Sequence, residues 1–186
     1  SCGRNAVVTG VVSPSPASGK IEVKMTEGGA LVTKDTLSLN DNGGFKYVCE
    51  LQKSCPEFIY LYNDDVKLAS LLLTQGDRVK VHCDTVGTWT VEGSEDCGIL
   101  RQNELDFAAF CAVKPLTRRA YVRYYQKMTK FVFSHSKSLS VIPVLYQQVG
   151  DLPVFGQVTD ALIFEAMADS LSTVYPDSRY VKMLRK

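Results

Sequence analysis

Polar and apolar residues alternate from Lys20 through Ile21, Glu22, Val23 and Lys24 to Met25. That period of two predicts a strand with one buried face. The pattern breaks at Glu27-Gly28-Gly29 and resumes in extended character from Leu31 to Leu39. Asp41-Asn42-Gly43-Gly44 reads as a tight turn, because Asn and Gly tolerate positive φ. Beyond it, Phe45, Tyr47, Cys49 and Leu51 fall on one face of a strand, with Lys46, Val48 and Glu50 on the other. Further strands are predicted over Phe58–Tyr62, over the apolar run Leu68–Leu73, through Val79, Val81 and Cys83, and at Trp89–Val91. About eight short strands with turns roughly every ten residues predict an antiparallel sandwich or barrel.

The period changes after Glu92-Gly93-Ser94-Glu95. Helices are predicted over Leu100–Val113, from a Thr117 cap, from Ser136 or Ser138 to Gln148, from a Thr159 cap, and from Ser178 to Lys186. In the second, Tyr121, Tyr125, Met128 and Val132 recur at helical spacing, and Pro143 in the third belongs near a first turn or a kink. The expected fold is therefore α+β: an antiparallel β-sandwich followed by a C-terminal helical subdomain. Residues 4–96 would form the sandwich and residues 97–186 a helical part packed on it.

Composition narrows the chemistry. Of 186 residues, 45% are hydrophobic and 22% charged, the usage of a globular chain, and the net charge is +1. The charge is unevenly placed. Residues 1–98 carry 9 basic and 13 acidic side chains, whereas residues 99–186 carry 12 and 7. Two histidines in the whole chain leave few general bases or metal ligands. His82 should point away from the core, and His135 falls at a Ser-rich helix junction. Neither has a partner at metal-binding spacing. There is no G-x-S-x-G elbow and no phosphate-binding glycine loop, while Asp64-Asp65 is accounted for by a turn. No catalytic residue, metal site or cofactor is expected.

Six cysteines, at 2, 49, 55, 83, 97 and 111, contain no C-x-x-C pair. Cys49 and Cys55 could meet across a strand, but free buried thiols are the expectation. Cys97 is the best-placed thiolate, beside Gly98 at a helix start, although Glu95 and Asp96 oppose its ionisation. Cys2 follows Ser1, and a small residue before Cys is how a bacterial lipoprotein signal ends. That reading makes its thiol a lipid attachment point; the plainer one makes it an ordinary terminal cysteine.

The densest constellation is cationic. Between Lys114 and Lys137, 24 residues include no Asp or Glu. Arg119, Arg123, Lys127 and Lys130 recur along one side of the second helix, with Arg118 beside them and Tyr121, Tyr124 and Tyr125 interleaved. Two readings stand: a solvated helix face docked on the acidic half, or an anion-binding surface formed by the helix 114–137. No nucleic acid is expected.

The order of several motifs carries a resemblance. Cys2 leads, followed by Val8-Thr9-Gly10, Asn40-Asp41-Asn42-Gly43-Gly44-Phe45 and Gln75-Gly76-Asp77-Arg78-Val79. Val91-Glu92-Gly93-Ser94, Lys137-Ser138-Leu139-Ser140 and Tyr175-Pro176-Asp177-Ser178 complete the series. The chain resembles the uncharacterised N-terminal domain of Bacteroidetes envelope lipoproteins, which commonly precedes a thioredoxin-like domain of the thiol-disulfide interchange type. The resemblance implies a sandwich followed by helices, a membrane partner reached through lipid at Cys2, and a periplasmic or surface-facing envelope location. It also implies a C-terminal thioredoxin-like domain in the full-length protein. That domain's C-x-x-C is not in these 186 residues. The leading expectation is a non-catalytic, membrane-tethered interaction or spacer module. The alternatives are the substrate-holding part of a thiol-disulfide oxidoreductase and an anion-binding module.

Overall fold

The structure is a computed structural model that describes residues 4–186. Among these are ten strands and five helices. Eight strands come first: β1 (Asn5–Val12), β2 (Lys20–Glu27), β3 (Ala30–Ser38), β4 (Gly44–Glu50), β5 (Glu57–Asn63), β6 (Val66–Leu73), β7 (Arg78–Cys83) and β8 (Trp89–Glu92). The rest are α1 (Glu95–Cys111), α2 (Arg118–Ser134), α3 (Val141–Leu145), β9 (Gln148–Val149), β10 (Leu152–Pro153), α4 (Ala161–Ser172) and α5 (Arg179–Leu184). The chain forms two compact units, and the division falls inside α1, between Arg101 and Gln102.

The first unit is built from two four-stranded sheets, ordered β4-β1-β7-β8 and β3-β2-β5-β6. Alternation decides their inner faces. Ala6, Val8 and Val12 of β1, Val79, Val81 and Cys83 of β7, and Trp89 of β8 share one core with Ile21, Val23, Ile59 and Leu61 of the other sheet. The α+β sandwich-then-helices architecture is thus as expected, with one refinement. Every pairing in the two sheets is antiparallel except β1 with β7, which is parallel. Period-two alternation selects the buried face but carries no information about a neighbour's direction. In β6, Leu68 to Leu73 are all buried, so this strand is covered on both faces. Each such Leu contributes about 1.5–3 kcal/mol of transfer free energy.

Gly10 lies where β4 and β7 flank β1. A Cβ there would stand 2.6 Å from the carbonyl oxygen of Val81 and 2.5 Å from the Phe45 ring. Only hydrogen lets that ring lie across the strand.

Helix starts follow from caps. The Ser94 hydroxyl accepts the Cys97 N–H at 3.1 Å, and Glu95 and Asp96 occupy the first turn of α1. This favourable charge at the helix N-terminus draws the helix five residues ahead of the expected Leu100. Thr117 and Ser178 cap α2 and α5 as expected, accepting the N–H groups of Ala120 and Tyr180. The third helix is much shorter than expected. It covers Val141–Leu145 with Pro143 in its first turn, and the remainder of the predicted span gives way to the β9–β10 hairpin around Gly150 at φ 61°. At the fourth helix Asp160, not Thr159, is the residue before the first turn. The Asp160 carboxylate is engaged elsewhere, accepting the Gly156 N–H at 2.8 Å and the Tyr125 hydroxyl.

Candidate functional site

The buried stripe of α2 is Tyr124, Met128 and Val132. Met128 and Val132 are buried as expected, but Tyr124 takes the place expected for Tyr121 and Tyr125, whose rings are only half-buried. Tyr124 stacks on Phe110 of α1 with centroids 4.1 Å apart and ring planes within 3°. Its hydroxyl donates to Gln147 Oε1 at 2.7 Å, and Gln147 Nε2 donates to Asn103 Oδ1 at 2.8 Å. Asn103 Nδ2 reaches the Met128 sulfur at 3.3 Å, which closes a satisfied buried chain. Burial pushes the Tyr124 phenol well above its ordinary range. Tyr121 donates to the Pro153 carbonyl. All three tyrosines that interleave with cations in the sequence therefore have engaged hydroxyls.

The cations occupy the other side. Arg118, Arg119, Arg123, Lys127 and Lys130 are all exposed. Lys127 Nζ lies 3.3 Å from Asp106 on α1, an exposed pair contributing roughly 0.2–1 kcal/mol. Among the described residues Arg118, Arg119, Arg123 and Lys130 have no ion pair. Arg118 and Arg119 stand in the first turn, where the helix dipole is already positive, so the arrangement opposes helix stability. Two apolar side chains share this side, Val122 at 42% exposure and Phe133 at 50%. Sequence reading missed both, although neither lies on the stripe of Tyr124, Met128 and Val132. Lys137, by contrast, is structural. Its ammonium donates to Thr173 Oγ1 at 2.8 Å and to the Ser170 carbonyl, at the negative end of α4.

The thiols are placed for packing. Cys49, Cys55, Cys83, Cys97 and Cys111 are free, so Cys49 and Cys55 are not bridged. Cys97 is fully buried, and its thiol donates to the Leu72 carbonyl at 3.3 Å while accepting the Leu72 N–H at 3.4 Å. β6 is an edge strand, and this one side chain satisfies both backbone groups of a residue there. Burial raises the Cys97 thiol despite the helix terminus beside it, and burial pushes Cys83 to about 12. Only a thiolate attacks a disulfide. In the native protein, Cys83 and Cys97 are therefore expected to react with a disulfide reagent at least a hundredfold more slowly, in order of magnitude, than half-exposed Cys55. Site-resolved labelling near neutral pH checks this, and equal rates at Cys97 and Cys55 would contradict it.

His82 is exposed on β7, and the His135 backbone N–H closes the end of α2 on the Phe131 and Val132 carbonyls. Among the described residues no cluster of His, Cys, Asp or Glu side chains is arranged to hold a metal ion. Nor is any helix among them long and apolar enough to cross a membrane. Cys2, the expected lipid attachment site, lies outside the described residues.

Neither protein-family models nor curated proteins match this chain.

Proposed function

We propose that this protein is a non-catalytic, membrane-tethered interaction module of the bacterial cell envelope. In this reading lipid on Cys2 holds it at the membrane and the basic side of α2 turns it toward anionic headgroups. The natural protein would present a thioredoxin-like domain beyond this module, as the motif order implies. One observation carries the proposal: four exposed cations on a single helix have no ion pair among the described residues, and two of them sit at its positive end. A purely structural helix gains nothing from that placement, whereas an anionic surface offsets its cost. Exposed Val122 and Phe133 add apolar contact at the same face.

The test is cosedimentation with phosphatidylglycerol-containing vesicles, using pure phosphatidylcholine vesicles as the neutral reference. Binding is expected to the anionic vesicles alone and to fall as salt rises. A juxtamembrane cation contributes about 1 kcal/mol, so R119E/R123E/K130E should lose roughly a hundredfold or more in partitioning. Equal partitioning of the variant, or none by the native chain, would refute the proposal. Mass spectrometry of the native protein should find a diacylglyceryl-modified Cys2. An insulin-reduction assay with dithiothreitol should proceed at the uncatalysed rate.

A further inference from the structure

The outward face of the β4-β1-β7-β8 sheet gathers a second group of cations, on the acidic half of the sequence. The β1–β4 and β1–β7 registers set Lys46 and Lys80 on either side of Thr9 in one row across the sheet. In the adjoining row Val7 lies between Val48 and Arg78, and on the other side Val11 is opposite His82. The inward residues of the same strands fill the core, so these side chains point the other way, and Lys46, Arg78, Lys80 and His82 are exposed. Among the described residues Lys46, Arg78 and Lys80 have no ion pair. The acids of the face lie at its margins: Glu92 is opposite Lys80 on the edge strand β8, and Glu50 is at the end of β4.

Three of the nine cations in residues 1–98 thus share one sheet face, although that stretch holds an excess of acids. General basicity does not account for the clustering. Strand spacing puts Lys46 and Lys80 about 10 Å apart, and Arg78 and Lys80 about 7 Å apart along β7. Such a regularly spaced array suits a polymer bearing repeated anions.

The chemistry of the face selects among polymers. No Phe, Tyr or Trp occupies its outward positions and His82, at one end, is their single ring, so a run of nucleic-acid bases has little on which to stack. Thr9 instead supplies a hydroxyl between Lys46 and Lys80, and Asn5 opposite Glu50 and Thr90 opposite His82 add an amide and a hydroxyl nearer the margins, as a hydroxylated chain requires. We propose that this sheet face binds an acidic polysaccharide, with Lys46, Arg78 and Lys80 holding its carboxylate or sulfate groups. The inference is independent of the reading of α2, because it uses a different surface and a different partner.

Heparin oligosaccharide is the probe, titrated against the full chain over a range of salt concentrations. The variant K46Q/R78Q/K80Q alters only exposed side chains, and unchanged far-UV circular dichroism would establish its fold. The expected result is an affinity loss of about tenfold or more and a shallower salt dependence, since fewer counterions are released. Binding of this variant to phosphatidylglycerol vesicles should be unchanged. In the converse experiment R119E/R123E/K130E should retain heparin binding through the sheet. No heparin binding by the native chain, or equal binding by K46Q/R78Q/K80Q, would overturn the proposal. Tighter binding to a single-stranded oligonucleotide than to heparin, lost in the same variant, would overturn the assignment to polysaccharide.

Discussion

Trp89→Ala is expected to destabilise the protein by about 3–5 kcal/mol, the range for removing a large buried aromatic side chain. Trp89 begins β8, is 2% exposed, and stands opposite Cys83 across the β7–β8 pairing. The Arg101 guanidinium lies 5.1 Å from its ring centroid, so truncation also removes a cation–π contact. Its indole fills the end of the sandwich core, where a four-residue edge strand has little else to hold it. Against a total stability of about 5–15 kcal/mol, the variant should sit near the limit of folding. Urea denaturation followed by far-UV circular dichroism measures the difference. The substitution also removes the chain's sole tryptophan, so fluorescence cannot serve for this variant. A loss below about 1 kcal/mol would show that the ring is not an anchor of the core.

The second large effect is expected in alkali. Burial raises Cys83 from an ordinary 9.0 to about 12 and Tyr47 from 10.0 to about 12. It also raises Cys49, Cys97 and Tyr124. In every case the folded state holds the proton more tightly than the unfolded chain does. Stability is therefore full below the unfolded values, near pH 9, and is lost as pH rises toward 12. For Cys83, which is 1% exposed, the loss approaches roughly 4 kcal/mol once pH passes the folded value. Tyr47 is half-buried, so water screens part of its share. Urea denaturation from about pH 7 to about pH 11 should give a flat region followed by a steady fall. Cys83→Ala should flatten that fall, whereas an identical fall in the variant would assign it to other groups.

Sequence and structure agree where the governing physics is local. Thr117 and Ser178 cap helices because a side-chain oxygen meets an N–H two or three residues on. The Asn40–Gly44 turn forms because Gly43 adopts φ 78°, and the Asn40 side chain accepts the Asn42 and Gly44 N–H groups. Lys46, Val48 and Glu50 face outward because the pleat alternates. The third helix fails as an expectation because the Gly150 hairpin ends it after five residues, a competition the helical spacing does not register.

The candidate site was legible in part. The run from Lys114 to Lys137 marked α2 as basic, and Arg118, Arg119, Arg123, Lys127 and Lys130 are exposed together on it. The sequence alone could not separate Lys137 from them, since its partners Ser170 and Thr173 lie more than 30 residues away. It could not detach the tyrosines either. Tyr121 and Tyr125 are bound by Pro153 and Asp160, and Tyr124 by Gln147, none of them close in the chain.

By itself, then, the sequence determined the strand-rich first half, the helical second half, the buried faces of β2, β4 and β7 and the starts of α2 and α5. These depend on side-chain period, allowed φ and capping, which act within a few residues. Only the tertiary structure decided that β7 lies parallel to β1, that the Cys97 thiol serves Leu72, and that Lys46 and Lys80 flank Thr9. Each of these joins residues from 25 to more than 70 positions apart. Such neighbours are chosen by how whole strands and helices stack to bury one shared core, and no local pattern encodes that choice.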